Sequence, residues 1–426
     1  MWIVPGPGAR PSGPGLWLPT INESLFRSRT GGLIAALTFS TVATGMLQIA
    51  IPLRLRELQA SPAEIGVTLA MFGFGLFATE WLWGILADRY GYGGPLVVSQ
   101  LLYAAAMVAL AGAATAPVIA VCYLLASGAM VAAGPVARSY VGTALRPNLR
   151  ATGLALLAAQ WLVGSAIGAG IGGVLLERVG THNLIQGAAV LPFITAALTA
   201  AVFMGGRASG HADRPAEDKK AEAARAGASV LQVLLVTAVI VLLLEVGVGG
   251  EQALLPLLVT SHLRLSAPTA GTAMLVAGLV GGALLVPGGH ASDRWGRKPT
   301  MIVGGVVSAV GFAVYAMAGT FGAVLVGAVV RGLGASLVWP AATAWIAEAM
   351  PRRRHALMMG LFGEFENLGL AMGPVLGGLA WSLAGIQAAF LAYAVAALLA
   401  AVVSAILIDR RPGSKSWPEM IPWVRR

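Results

Sequence analysis

The chain has 426 residues, of which 57% are hydrophobic and 11% charged, and its formal net charge is +10. Soluble globular domains carry roughly 25% charged residues, so this composition excludes an ordinary soluble domain. The single cysteine, Cys122, sits in an apolar run and provides for neither an internal disulfide nor a cysteine metal cluster.

Residues 1–28 are rich in Pro and Gly and lack the basic start, short apolar core and cleavage site of a secretory signal, so they read as a flexible tail. Twelve apolar spans follow, near 31–53, 64–86, 95–116, 118–137, 152–175, 183–204, 229–258, 267–288, 299–319, 321–347, 356–380 and 385–408. Each approaches or exceeds the roughly 20 residues that cross a bilayer as a helix. Between the sixth and seventh lies a mixed-charge, Ala-rich segment with Arg207, Asp213, Glu217, Lys219, Lys220 and Arg225 and no apolar face. The expected organisation is an all-α membrane protein with one helix bundle over 29–204, a linker over 205–228, a second bundle over 229–410 and a tail over 411–426.

The charges are not spread evenly. With the N-terminus inside, 23 of the 28 Lys and Arg fall on the cytoplasmic side, Arg54, Arg56, Arg178 and Arg264 fall outside, and Arg331 lies within a span. Excess Lys and Arg on the inner side sets orientation, which places both termini in the cytoplasm. The positive charge therefore reads as a topology signal, accompanied by attraction to anionic headgroups, and not as a nucleic-acid surface.

The two bundles repeat each other at an offset of 205 residues. Gly84, Asp88, Arg89 and Gly91 recur as Gly289, Asp293, Arg294 and Gly296, and Gly164, Gly168, Gly172 and Gly173 recur as Gly369, Gly373, Gly377 and Gly378. Solenoid repeats have periods of about 20–50 residues, so an offset this long marks a duplicated domain. Gly91 and Gly296 suit a tight turn between helices, where φ can be positive. Asp88 and Asp293 suit a helix N-terminus, where free N–H groups favour an anion.

With these motifs the chain resembles the major facilitator superfamily, and in particular its drug/proton antiporter-type members, over about residues 28–410. The family's loop signature, Gly-x-Leu-Ala-Asp-Arg-x-Gly-Arg-Lys, is matched after the second span by Gly84, Leu86, Asp88, Arg89 and Gly91, departing at Tyr92 and Gly93. After the eighth span it is matched by Asp293, Arg294, Gly296, Arg297 and Lys298. The resemblance implies that these loops, with Glu348, latch the bundles together on the cytoplasmic face when the carrier opens outward; the alternative is a plain topology anchor. The family's antiporter motif, normally on the fifth helix, is matched on the eleventh span by Gly360, Gly369, Gly373, Pro374, Gly377 and Gly378. Gly369, Gly373 and Gly377 line one face and permit close helix contact, and Pro374 can bend the helix. On the fifth span Ala169 stands where the motif has proline.

Ionised groups near the bilayer centre cost about 2.5–3.5 kcal/mol even on the lenient insertion scale and face cavities or partners. Glu80, Glu245, Glu251, Arg331, Glu364 and Glu366 are such groups, and all six have uncharged mates in the other half. Structural parts of a duplicated fold tend to recur; these do not, which makes them, with Asn367, the candidates for proton or substrate work. Glu364 shares a face with Gly360, Asn367 and Ala371, and Glu366 shares one with Gly369. Glu251 reads as near the outer end of its span and solvated, and Arg331 as a cation that needs a Glu or a substrate anion. A structural ion pair or an interfacial position is the alternative for each. Gln48, Gln100, Gln160, Trp161 and Trp339 are further candidates for a pocket lining that suits amphiphilic or cationic compounds.

The resulting expectation is a proton-coupled exporter of small amphiphilic compounds, working by alternating access as a monomer in the cell membrane, with no cofactor. A proton-coupled uptake symporter for a sugar, carboxylate or other metabolite is the second reading. His182, His211, His262, His290 and His355 fall in loops or at span ends, and neither His-Glu-x-x-His nor Gly-x-Ser-x-Gly occurs, which argues against an intramembrane enzyme.

Overall fold

The computed structural model describes residues 29–145, 147–204, 227–349 and 355–408. Both expected tails, nearly all of the linker and the Arg352-Arg353-Arg354 run lie outside the described residues. The described chain is helical: α1 (Arg29–Glu57), α2 (Pro62–Tyr90), α3 (Gly93–Ala111), α4 (Ala116–Met130), α5 (Pro135–Ala144), α6 (Pro147–Ala188) and α7 (Val190–Met204) make the first half. The second comprises α8 (Gly227–Leu257), α9 (Ala267–Trp295), α10 (Arg297–Ala316), α11 (Phe321–Ala349), α12 (His355–Ala384) and α13 (Ile386–Leu407).

Among the described residues, eleven stretches are long and apolar enough to cross a membrane. One of them, Thr152–Met204, has 53 residues, about 80 Å of helix at 1.5 Å per residue, against a hydrocarbon core of about 30 Å. Gly180, at φ 79°, breaks it. That stretch therefore holds the fifth and sixth spans, and the twelve crossings read from the sequence fit eleven helical stretches. The fourth span runs further than its hydropathy suggests. A short 3-10 turn, Val131–Ala133, ends α4, and Pro135 restarts the helix as α5.

The helix ends explain themselves locally. Ser61 caps α2 in a reciprocal box: its Oγ accepts from the Glu64 N–H at 3.3 Å while Glu64 accepts from the Ser61 N–H at 2.8 Å. Ser266, 205 residues on, caps α9 by accepting from the Thr269 N–H. The positive-φ positions also pair at this offset: Gln59 with Arg264, Gly91 with Gly296, and Gly180 with Gly385. Where the chain must turn against its preferred hand, both halves do so at the same place.

Packing within each half relies on glycine. Gly373 lies against the α8 backbone at Val246 and Gly250, and Gly377 leaves room for the Tyr393 ring, whose hydroxyl donates to the Gly373 carbonyl at 3.0 Å. Gly369 abuts Glu245 and Leu242. The first half repeats the contact, with Gly168 against Val42 and Gly45. Gly360, expected with this motif, is exposed, and a methyl group there would meet nothing within 4 Å. It stands nine residues from Gly369, half a turn out of phase at 3.6 residues per turn, and so belongs to the opposite face.

Candidate functional site

Two antiparallel seams join the halves. In the first, Gly66 of α2 meets Gly378 of α12, where a methyl group on Gly66 would come within 2.9 Å of the Gly378 Cα. Gly73 then meets Ala371 and the Asn367 carbonyl. In the second, Gly271 of α9 meets Gly173 of α6, and Gly278 meets Ala166. Such backbone approach is open only to the smallest residues. Between the seams Gln48 of α1 donates to Gln252 of α8 at 3.2 Å, beside a small cavity lined by Leu69, Phe72, Tyr123 and Pro374. Both seams lie toward the end opposite the α2–α3 and α9–α10 turns. Toward those turns the contacts run out: Gly84 has open space around it, and Ile85, Tyr90 and Val286 are exposed.

Where the first seam ends, charged groups from both halves converge. Thr79 and Trp83 of α2 both donate to the Gly128 carbonyl at 2.7 Å, which fixes α2 on α4 just before the break. Beyond the break Arg138 of α5 donates from Nε to the Gly134 carbonyl at 3.1 Å and reaches Glu80 Oε1 at 2.9 Å. Asn367, from the other half, donates to Glu80 Oε2 at 2.6 Å. Both oxygens of Glu80 are thus held, one from each half. Glu364 is within electrostatic reach of Glu80, and its Oε2 is buried and makes no hydrogen bond among the described residues. Glu366 accepts from the Trp339 indole at 2.6 Å, and Glu245 lies within electrostatic reach of it. Glu80, Glu364, Glu366, Asn367 and Glu245 therefore form one neighbourhood.

Arg331 extends this neighbourhood, since it lies within electrostatic reach of Glu245, and it pairs with Glu251, for which the expected solvated position is wrong. Glu251 is 2% exposed. Its Oε2 lies 2.5 Å from Arg331 Nε in an ionic contact, and its Oε1 accepts from the Tyr315 hydroxyl at 2.7 Å. The depth follows from the helix: α8 reaches Leu257 and continues as a π-helical turn, Leu258–His262. That places Glu251 about 16 Å from His262, at the helix end, at 1.5 Å per residue. Arg331 finds its anion inside its own half.

The loop residues make local contacts. Arg297 bridges Asp293 at 2.6 Å and Glu348 at 2.8 Å, Lys298 donates to the Ile408 carbonyl at 2.7 Å, and the Arg89 guanidinium lies 5.4 Å from the Tyr90 ring centroid. Gly91 and Gly296 make their turns at φ 78° and 94°. Asp293 thus meets a guanidinium, and these ion pairs of the second loop stay within the second half. A methyl group on Gly289 would meet, among the described residues outside its own helix turn, Pro340, also of the second half. Of the other lining candidates, Gln48 borders the cavity, Gln160 accepts from Thr41, Trp339 holds Glu366, and Gln100 is fully buried with no hydrogen bond to either amide atom among the described residues.

Sequence reasoning missed three participants. Arg138 lay one residue past the assigned fourth span, whereas the helix restarts at Pro135 and runs on to Ala144. Tyr315 gave no signal, being an ordinary aromatic in an apolar helix. Gln252 could have been found, because it neighbours the repeat mate of Gln48.

The family model described as Major Facilitator Superfamily matches residues 33–250 and 238–422. The chain belongs to this family. Its fold and its relatives are those of transporters, not of enzymes, and it is a multi-pass membrane protein. It is 23% identical over 350 residues to the tetracycline resistance protein, class C, of Escherichia coli, a match covering 81% of this chain and 87% of that one. It is 30% identical over 135 residues to the methylenomycin A resistance protein of Bacillus subtilis, covering 32% of this chain and only 29% of that protein's length. Among solved structures, that of the nucleoside transporter NupG aligns with a TM-score of 0.72 at 15% identity, over 90% of this chain and 100% of that one. This last likeness concerns the fold alone.

Proposed function

We propose that this superfamily member is a secondary active transporter that exports small amphiphilic compounds in exchange for protons. It works by alternating access, as a monomer in the cell membrane with both termini cytoplasmic. The observation that carries the reading is the convergence of Glu80, Glu364, Glu366 and Asn367 from both halves at the point where the halves part. Carboxyl groups at such a place change their surroundings when the halves rock. Burial favours the protonated form and exposure to water or a cation favours the ionised one, so each cycle can pick up a proton on one side and release it on the other. The resistance proteins among its relatives support export.

In this reading the bodies that rock are residues 29–204 and 229–410, about a site near the midplane. With the far end closed by the seams, the loop end is the open one. Asp88, Arg89, Asp293, Arg294, Arg297, Lys298 and Glu348 then latch the halves in the opposite state, when the far end opens.

The test uses inside-out vesicles with an imposed pH gradient and a ΔpH-sensitive dye. Cationic and neutral amphiphiles are added first, then sugars and carboxylates. Proton release on adding an amphiphile, lost in Glu364→Gln, is the expected result. A response of opposite sign establishes symport, and no response from folded protein across the panel removes the export reading.

A further inference from the structure

The first seam climbs in steps of seven residues: Gly66 with Gly378, then Gly73 with Ala371. The next step places Glu80 opposite Glu364. The Glu80 carboxylate does lie there, with its oxygens 3.7 and 3.9 Å from where a methyl group on Gly363 would stand. The second seam steps identically, Gly271 with Gly173 and Gly278 with Ala166, and its third step pairs Leu285 with Ala159. One seam therefore ends on two apolar residues and the other on two carboxyl groups, at equivalent positions of a duplicated fold.

We propose that Glu80 and Glu364 form a single proton site shared between the halves, and that its occupancy decides whether this seam stays closed at its third step or splays open. This rests on the reading of the halves as rocking bodies and adds the groups on which the proton acts. Two facing carboxylates do not both stay ionised in a confined site; one proton between them removes the repulsion. The structure also says which one takes it. Glu80 already accepts from the Arg138 guanidinium on one oxygen and from the Asn367 amide on the other, so neither of its oxygens is spare. Glu364 presents a buried oxygen with no hydrogen-bond partner among the described residues. The proton arrives from water at the far end, forms an O–H bond on Glu364, and passes to water at the loop end when the third step of the seam opens. The other charged groups facing the pair are Arg138 on α5 and Glu366 on α12, with Glu245 of α8 beyond Glu366 and Arg331 of α11 beyond Glu245. Glu366 is oriented by Trp339 and stands off the seven-residue step.

The experiment measures the distance between spin labels at the loop ends of α2 and α12 as a function of pH, with no substrate present. Tyr90→Cys and Gly360→Cys, both at exposed positions, are labelled in a Cys122→Ala background of the full chain in lipid nanodiscs. As the pH falls, the distribution is expected to shift from longer to shorter distances in one titration step. Glu364→Gln is expected to hold the short distance at every pH, Glu80→Gln to lose the step, and Glu366→Gln to keep it. A chain without the step before any Gln change, or a step that survives in Glu364→Gln, overturns the proposal. If Glu364→Gln does not fold, the parent chain and Glu80→Gln decide it. A protein that transports yet shows no step overturns the shared site and leaves the transport reading intact; a step in a protein that moves nothing does the reverse.

Discussion

Arg331→Met keeps much of the side chain's length and none of its charge, and it leaves Glu251 without its cation in a pocket where the two side chains are 3% and 13% exposed. Removing one member of a buried ion pair costs about 3–5 kcal/mol, because the remaining charge is stranded. Tyr315 keeps its acceptor in this variant. In Glu251→Leu the arginine is stranded and the Tyr315 hydroxyl also loses its partner, which adds about 1–3 kcal/mol. In the double variant neither charge remains, and only the Tyr315 loss, about 1–3 kcal/mol, is left. The double variant is therefore expected to be more stable than either single one, the opposite of additivity. The assay is thermal unfolding of purified protein followed by tryptophan fluorescence. For a cooperative unit of about 150–250 residues, the Arg331→Met loss lowers Tm by roughly 6–20 °C. If both single variants keep the parent Tm while transport disappears, the pair is not a closed structural contact but part of the path.

Other perturbations test the seams and turns. Gly66→Leu forces a side chain into the α12 backbone, and overpacking of this kind costs about 1–3 kcal/mol. The far end should open more often, so an impermeant maleimide should label Leu69→Cys faster in this variant; unchanged labelling refutes the contact. Gly180→Ala and Gly385→Ala each put a methyl group on a residue with φ near 80–90° and an extended ψ, a region essentially confined to glycine, for about 1–3 kcal/mol, and the two should lower Tm by similar amounts because they sit at equivalent turns. Asp88→Asn should weaken the latch and shift the population toward the state open at the loops, read as greater thiol accessibility of Ile85→Cys. Unchanged accessibility in folded protein counts against the latch.

The sequence carried the fold well because a bilayer-spanning helix advertises itself through length and composition, and because a 205-residue repeat supplies each assignment twice. The glycine stripe Gly369, Gly373 and Gly377 was legible from spacing alone, since a helix fixes which residues share a face. The partners of charged groups were not legible. Which anion Arg331 meets depends on how α8, α10 and α11 cross, and no periodicity records a crossing angle. Arg138 escaped because the apolar run ends at Ala137 although the helix continues to Ala144, so a charged residue there reads as lying beyond the span. Glu251 escaped because its depth depends on a π-helical turn that extends α8.

The three pairs of left-handed backbone positions, Gln59 with Arg264, Gly91 with Gly296 and Gly180 with Gly385, also bear on assembly. Each half owns a full set of turns and its own face of both seams, so the instructions for folding one half reside in that half. Cutting the chain between Met204 and Gly227 severs none of the contacts made among the described residues. The two pieces, synthesised together as separate polypeptides, should find each other in the membrane through the glycine faces of α2, α6, α9 and α12. They should co-purify as a pair, and Gly66→Leu should weaken their association more than any change at the linker does. The covalent joint would then serve to keep equal numbers of each half, while recognition between them is written in the bare backbone of the seams.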